Sequence, residues 1–307
     1  MSDLGIWRTV KCVNELTARH ENSFVEVDDK FYLIGGRRIQ PVEEFDPEKN
    51  VWRQLSLPPV EIHHFHAVAI NDRIYIAGAM TGPGPRETPL PNIYEYHPKT
   101  DTWTKGAEIP SARRRGSCGT VVRNGKIYLV GGIIDGHHSG LVAWFDCYDP
   151  RTGKWEVLPD MPHPRDHAPA IIVEDKLYSV GGRDTSVHTE ENYRAFFAAT
   201  IREVDCYDFA NSKWTTLDDL LPIGTAAGGI AHVKNNILYF GGESGQKVAH
   251  NETQCLDLSC NKWKIISPLE TGRHGSQAIK YKEKIYIASG CGNRGGRPEL
   301  TSIEVFS

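Results

Sequence analysis

Hydrophobic and polar positions follow one motif down the chain. A short apolar run reaches a tyrosine, continues for one or two residues and stops at a glycine pair. An acidic, aromatic run comes next, followed by a segment with a lone tryptophan. Phe31-Tyr32-Leu33-Ile34-Gly35-Gly36 is the first copy, and Ile127–Gly132, Leu177–Gly182 and Leu238–Gly242 repeat it. In the weaker copies, Ile74–Gly78 and Ile285–Gly290, one glycine has become Ala79 and Ser289. Trp52, Trp103, Trp155, Trp214 and Trp263 mark the same period of roughly fifty residues. Runs this short, bounded by turn residues such as Asp149-Pro150-Arg151-Thr152-Gly153, predict strands.

Each unit then reads as four strands. An inner one is rich in small residues, as in Cys118–Val122. The Tyr-Gly-Gly strand, an acidic third strand (Val42–Asp46, Ile93–Tyr96, Phe145–Asp149, Val204–Asp208) and the tryptophan strand follow. The sixth unit ends at Ser302–Phe306 without a tryptophan strand, whereas Ile6-Trp7-Arg8-Thr9-Val10 is a tryptophan strand with no blade before it. The N-terminal segment is therefore expected to complete the last unit and close a ring, leaving no free sheet edge.

The pattern resembles the kelch-repeat family over nearly the whole chain. It implies an all-β, six-bladed kelch-type β-propeller of the galactose oxidase-like kind, with four antiparallel strands per blade. One such domain is expected over 1–307, with blades at about 19–56, 62–108, 115–160, 165–220, 225–268 and 273–306 plus 5–11. The resemblance leaves function open, because this fold hosts unrelated activities.

Composition narrows the classes. A net charge of -4 gives no general attraction to nucleic acid or membrane, and no basic stripe with interleaved aromatics occurs. No stretch has transmembrane length, and the first residues show neither a basic region nor an apolar core. Seven cysteines without a C-x-x-C spacing suggest reduced thiols. The expectation is a cytoplasmic monomer, without nucleic-acid or membrane partners and without a cofactor.

In kelch propellers one face is built by the loops entering each inner strand and those leaving each glycine pair. Sixteen residues before the first glycine position stand Arg19, Ile62, Arg115, Arg165, Thr225 and Arg273, followed by His20, His63, Asp166 and His274, then Glu21, His64, Ser117 and His167. Arginines gathered at one mouth would favour a carboxylate, phosphate or sulfate, because the guanidinium is a planar fork of donors. The same slot can instead tie adjacent blades through loop carbonyls. The expected ligand residues are Arg115, Arg165, Arg273, His63, His64, His66, His137, His138, His250, Asn251, Asn293 and Arg294.

Two functions follow. One is binding of an acidic or sugar-like small molecule, or an acidic peptide segment, in an Arg/His-lined central pocket. The other is a cofactor-independent isomerase or epimerase, lyase or cyclase acting on a carbohydrate or carboxylate. His167 with Asp166, or Glu243 and Glu252 opposite His274, would supply its acid–base chemistry. No G-x-S-x-G elbow, P-loop or dinucleotide motif is present. Kelch-like relatives include enzymes acting on sugars and copper oxidases, and no position here matches the oxidase's copper set. His64 and His66 with a histidine of another loop (His137, His138 or His167) could hold a metal, but no metal is expected for want of a compact ligand motif. The long segment 183–201, with Tyr193, Phe196 and Phe197 among Glu190, Glu191 and Arg194, is either a lid or a cover for a neighbouring blade.

Overall fold

The computed structural model describes residues 4–189 and 191–307, so Glu190 of the long segment lies outside the described residues. Six four-stranded antiparallel sheets are arranged around an axis. The first blade is Asn22–Val27, Lys30–Gly35, Glu43–Asp46 and Val51–Gln54. The third is Gly119–Arg123, Lys126–Val130, Phe145–Asp149 and Lys154–Leu158, and the others repeat this order. Inner strands of neighbouring blades touch one another around the centre, which is why small residues recur there.

The sixth blade holds Ala278–Tyr281, Lys284–Ala288 and Ile303–Phe306, and Trp7–Thr9 pairs antiparallel with the last of these. Trp7 is buried between blades five and six against Phe240, Ile285 and Phe306, and its indole N–H donates to Thr253 Oγ1 at 2.9 Å. The ring closes as the orphan tryptophan strand predicts.

Six apolar clusters fill the six blade interfaces. Each repeat tryptophan packs against the preceding blade. The Trp155 indole donates to the Glu108 carbonyl at 3.2 Å and that of Trp214 to the Pro159 carbonyl at 2.7 Å. The glycine pair fixes the contact on the other side. At Gly131 (φ +67°) an added Cβ would lie 2.5 Å from the Arg165 carbonyl oxygen, and the Gly132 N–H donates to that oxygen at 2.8 Å. The pair therefore turns the chain and also admits the next blade's backbone.

Blade five departs from the repeat. Tyr239 stands one residue nearer its glycines than the other tyrosines, and a one-residue shift moves a strand side chain to the opposite face. Its hydroxyl accordingly donates to the Thr225 carbonyl at 2.7 Å, and Leu238 takes the usual tyrosine place.

Candidate functional site

The four arginines of the repeated slot do not face the mouth. Arg19, Arg115, Arg165 and Arg273 are fully buried inside their blades. Each donates to the carbonyl sixteen residues on (Gly35, Gly131, Gly181, Ser289), at 2.7–3.2 Å, and to a third-strand carboxylate, Glu43, Asp146, Asp205 or Glu304. The expectation that Arg115, Arg165 and Arg273 bind ligand is corrected: charges this deep must be paired, and both partners belong to the fold. The sequence carries a sign of this. Where the arginine is absent the acid is absent too, because Ile62 goes with Tyr94 and Thr225 with Gln254 at the equivalent register.

The axial site is built two residues beyond that slot. Glu21, His64, Ser117, His167, Ala227 and Gly275 all have φ between +53° and +69°. Their backbones form a chain of hydrogen bonds around the axis. His64 N–H donates to Glu21 O (3.1 Å), Ser117 to His64 (2.8 Å), His167 to Ser117 (2.9 Å), Ala227 to His167 (2.7 Å) and Gly275 to Ala227 (3.0 Å). Asn22 closes it on the Gly275 carbonyl at 3.3 Å. The left-handed backbone at His64 ends any strand there, and both His64 and His66 border the waist. The collar surrounds a waist of about 30 Å³. One side widens into a mouth of about 560 Å³ and the other into a funnel of about 370 Å³.

The mouth has a basic rim and a mixed floor. Arg37, Arg38, Arg194, Arg294 and Arg297 line it beside Phe197, over His20, His64, His137, His274, Glu21 and Glu243. Arg37 and Arg38 directly follow the first glycine pair, and Arg37 is bound to buried Glu87. The segment after Gly182 folds into two short 3-10 turns, Thr185–Val187 and Ala195–Ala198. Buried Phe196 and Phe197 lie under the Arg183 guanidinium at 4.7 and 5.3 Å, and the Tyr193 hydroxyl donates to the His137 carbonyl. This loop forms a wall of the mouth.

The floor is a network of carboxylate–imidazole pairs. Asp166 accepts from His167 Nδ1, Glu87 from His137 Nδ1 at 2.9 Å, and Glu299 pairs with His20 at 2.7 Å. Glu243 lies 3.4 Å from His274 Nε2 and accepts from Arg183. Burial alone would raise the pKa of Glu21, yet His167, His20, His274 and His137 together hold it at about 2. Burial likewise opposes ionisation of Glu243, and His274 and Arg183 overcome it, keeping that carboxyl below its usual range. Desolvation keeps His64 neutral at pH 7, with His63 and His137 adding to the effect. His63 falls to about 4, first through burial and then through Arg37.

The remaining expected residues divide clearly. His64, His137 and Arg294 reach the mouth, as do Glu243 and His274, while His167 lines the waist beneath. His63 stands behind His64, and His66 lies at the waist and the far funnel. His138 is bound on the rim by Arg86 and Asp135. His250 bonds Ser244 and Glu252, the Asn251 amide donates to the Leu269 carbonyl, and Asn293 offers its main-chain carbonyl to His274. Glu252 therefore does not oppose His274, because it is engaged by His250 outside the mouth. The expected ligand residues leave out Arg37, Arg38, Arg194, Arg297 and Arg183. Arg37, Arg183 and Glu243 follow their glycine pairs at one constant offset, a signal that alignment on the glycines contains.

Among the described residues no helix is long and apolar enough to cross a membrane. The chain matches the family model described as the KLHDC2/KLHL20/DRC7 Kelch-repeats domain over residues 3–182 and again over 106–290. It is 30% identical to the Kelch-like protein terF of Aspergillus terreus (strain NIH 2624 / FGSC A1156), over 89% of this chain and 61% of that protein. Kelch-like protein 40 of Xenopus tropicalis is 26% identical over 62% of this chain and 30% of that protein. For Kelch-like protein 23 of Pongo abelii the values are 24%, 90% and 46%. The chain thus spans less than two thirds of the length of each of these relatives. The solved structure of YjhT superposes with a TM-score of 0.79, covering 95% of both chains at 17% identity, a likeness of fold alone. With the repeat, the closed ring of six blades and the family match in agreement, the chain belongs to the kelch-repeat family.

Proposed function

We propose that the protein binds a small acidic, hydroxyl-bearing molecule in the mouth of the ring. The observation that carries this is the lining: five arginines from three loops surround one concavity of about 560 Å³, with Phe197 as an apolar wall and histidines below. Guanidinium groups suit carboxylate or phosphate, and the mixed Glu21, Glu243 and His274 floor suits hydroxyls. The volume falls in the usual range for small-molecule sites, which favours a compact ligand over a peptide segment.

Calorimetric titration with sugar acids, hydroxy acids and sugar phosphates tests the proposal. Arg194→Ala and Arg297→Ala should each weaken the best binder by roughly 1.5–3 kcal/mol, the contribution of a charged hydrogen bond. Unchanged affinity in both variants would remove the mouth as the site. A second reading, catalysis without a cofactor, is favoured by the pairs Asp166–His167 and Glu243–His274, which bring two carboxylate–imidazole couples to one floor. Turnover of the bound compound that disappears in Glu243→Gln and His274→Gln would separate catalysis from binding. Full turnover in both variants would end that reading.

A further inference from the structure

We propose that the junction of mouth and waist is a binding site for a divalent first-row transition-metal ion such as zinc, held by His64, His137 and His167 with Glu21 beside it. One ring nitrogen from each of the three histidines lies within 4.8 Å of the others. They come from three successive blades, the second, third and fourth.

The hydrogen bonds decide which nitrogens are free. His63 Nε2 can only donate to the Gly82 carbonyl, at 3.0 Å, so its Nδ1 is an acceptor. His64 Nδ1, 2.6 Å away, must then carry a proton and donate to it, which leaves a bare lone pair on His64 Nε2. His137 Nδ1 donates to Glu87 and His167 Nδ1 to Asp166, with the same result at their Nε2 atoms. Second-sphere carboxylates of this kind orient metal-binding histidines. His64 Nε2 is buried with no hydrogen-bond partner among the described residues, and Glu21 Oε2 is 3.5 Å from it. A cation among these rings would take the three Nε2 lone pairs as ligands.

Binding needs modest movement. Tetrahedral bonds of 2.0–2.1 Å place ligand nitrogens about 3.3 Å apart, so the rings must close by up to roughly 1.5 Å. The Arg183 guanidinium, 3.3 Å from His167 Nε2, would give up that contact and keep Glu243. Glu21, Glu87 and Asp166 supply the negative charge a cation requires beside an arginine.

The test uses untagged protein stripped with a chelator and titrated with Co²⁺, followed by visible absorption and then Zn²⁺ competition. One ion per chain with a four- or five-coordinate Co²⁺ spectrum is expected. His64→Ala and His137→Ala should abolish it, Glu87→Gln should weaken it about 10- to 100-fold, and His250→Ala should leave it unchanged. Alanine is compatible with the backbone at 64, because Ala227 occupies the equivalent collar position with φ +55°. His137 lies outside the collar, and thermal melts followed by circular dichroism establish that each variant is folded. No uptake by the folded wild-type protein, or uptake that persists in both histidine variants, overturns the proposal. The titration contains no organic anion, so its failure would leave the mouth's proposed ligand untouched, and the converse also holds.

Discussion

Replacing Arg165 by alanine should destabilise the fold by about 3 kcal/mol without changing what the mouth binds. The guanidinium donates to the carbonyls of His163 (3.1 Å), Gly181 (3.0 Å) and Glu203 (2.8 Å), and to Asp205 Oδ2 at 2.7 Å. Both side chains of the pair are wholly enclosed. Removing one partner of such a pair costs about 3–5 kcal/mol, because the other charge is left buried. Asp205 retains His163 Nδ1 at 2.9 Å and the Thr216 hydroxyl at 2.8 Å, which places the loss at the lower end. Urea unfolding measures the loss, and calorimetry on the same variant measures anion affinity, expected within about twofold of wild type because the sites are separate. The double variant Arg165→Leu, Asp205→Leu should recover part of the stability, as the ring's own Ile62 with Tyr94 suggests. An unchanged midpoint together with lost binding would refute the assignment of these arginines to the fold.

Three further outcomes are expected. Trp7→Ala should lower stability by roughly 3–5 kcal/mol by emptying the cluster that seals blade six to blade five, read from the thermal midpoint. Glu243 has a depressed folded-state pKa, so its contribution to stability is complete above about 4.5 and is lost as the pH falls below that. Glu243→Gln should therefore flatten the acid limb of a stability–pH curve, and an unaltered limb would contradict the ion-pair geometry. In thiol labelling followed by mass spectrometry, exposed Cys260 should react first, while Cys118, Cys147, Cys206, Cys255 and Cys291 are protected by burial. Burial also pushes the Cys291 thiol up to about 11, so early modification there would mean that the sixth blade opens.

The architecture was legible because its determinants are local and repeated. Gly131 must lack a side chain for the next blade to approach, Gly132 for the Gly116 carbonyl of its own blade, and Trp7 without a blade of its own implied closure. The site was only partly legible, because equivalent positions in a repeat share a place without sharing a direction. Arg165 and Asp166 are neighbours in sequence, yet one side chain runs into the blade and the other joins the floor of the mouth. Period alone does not separate those directions, whereas the paired loss of arginine and acid in blades two and five does. The histidine cluster was hidden for another reason. His64 and His167 share one collar position two blades apart, but His137 comes from a loop after a glycine pair, so no compact ligand spacing exists along the chain.

The collar at the waist has a consequence for how such a protein changes over time. Its hydrogen bonds are made by main-chain atoms, so glutamate, histidine, serine, alanine and glycine all occupy it with one backbone shape. The scaffold thus behaves like a socket whose contacts are wired behind the faceplate: chemistry at the axis can be exchanged one spoke at a time while the wheel stays true.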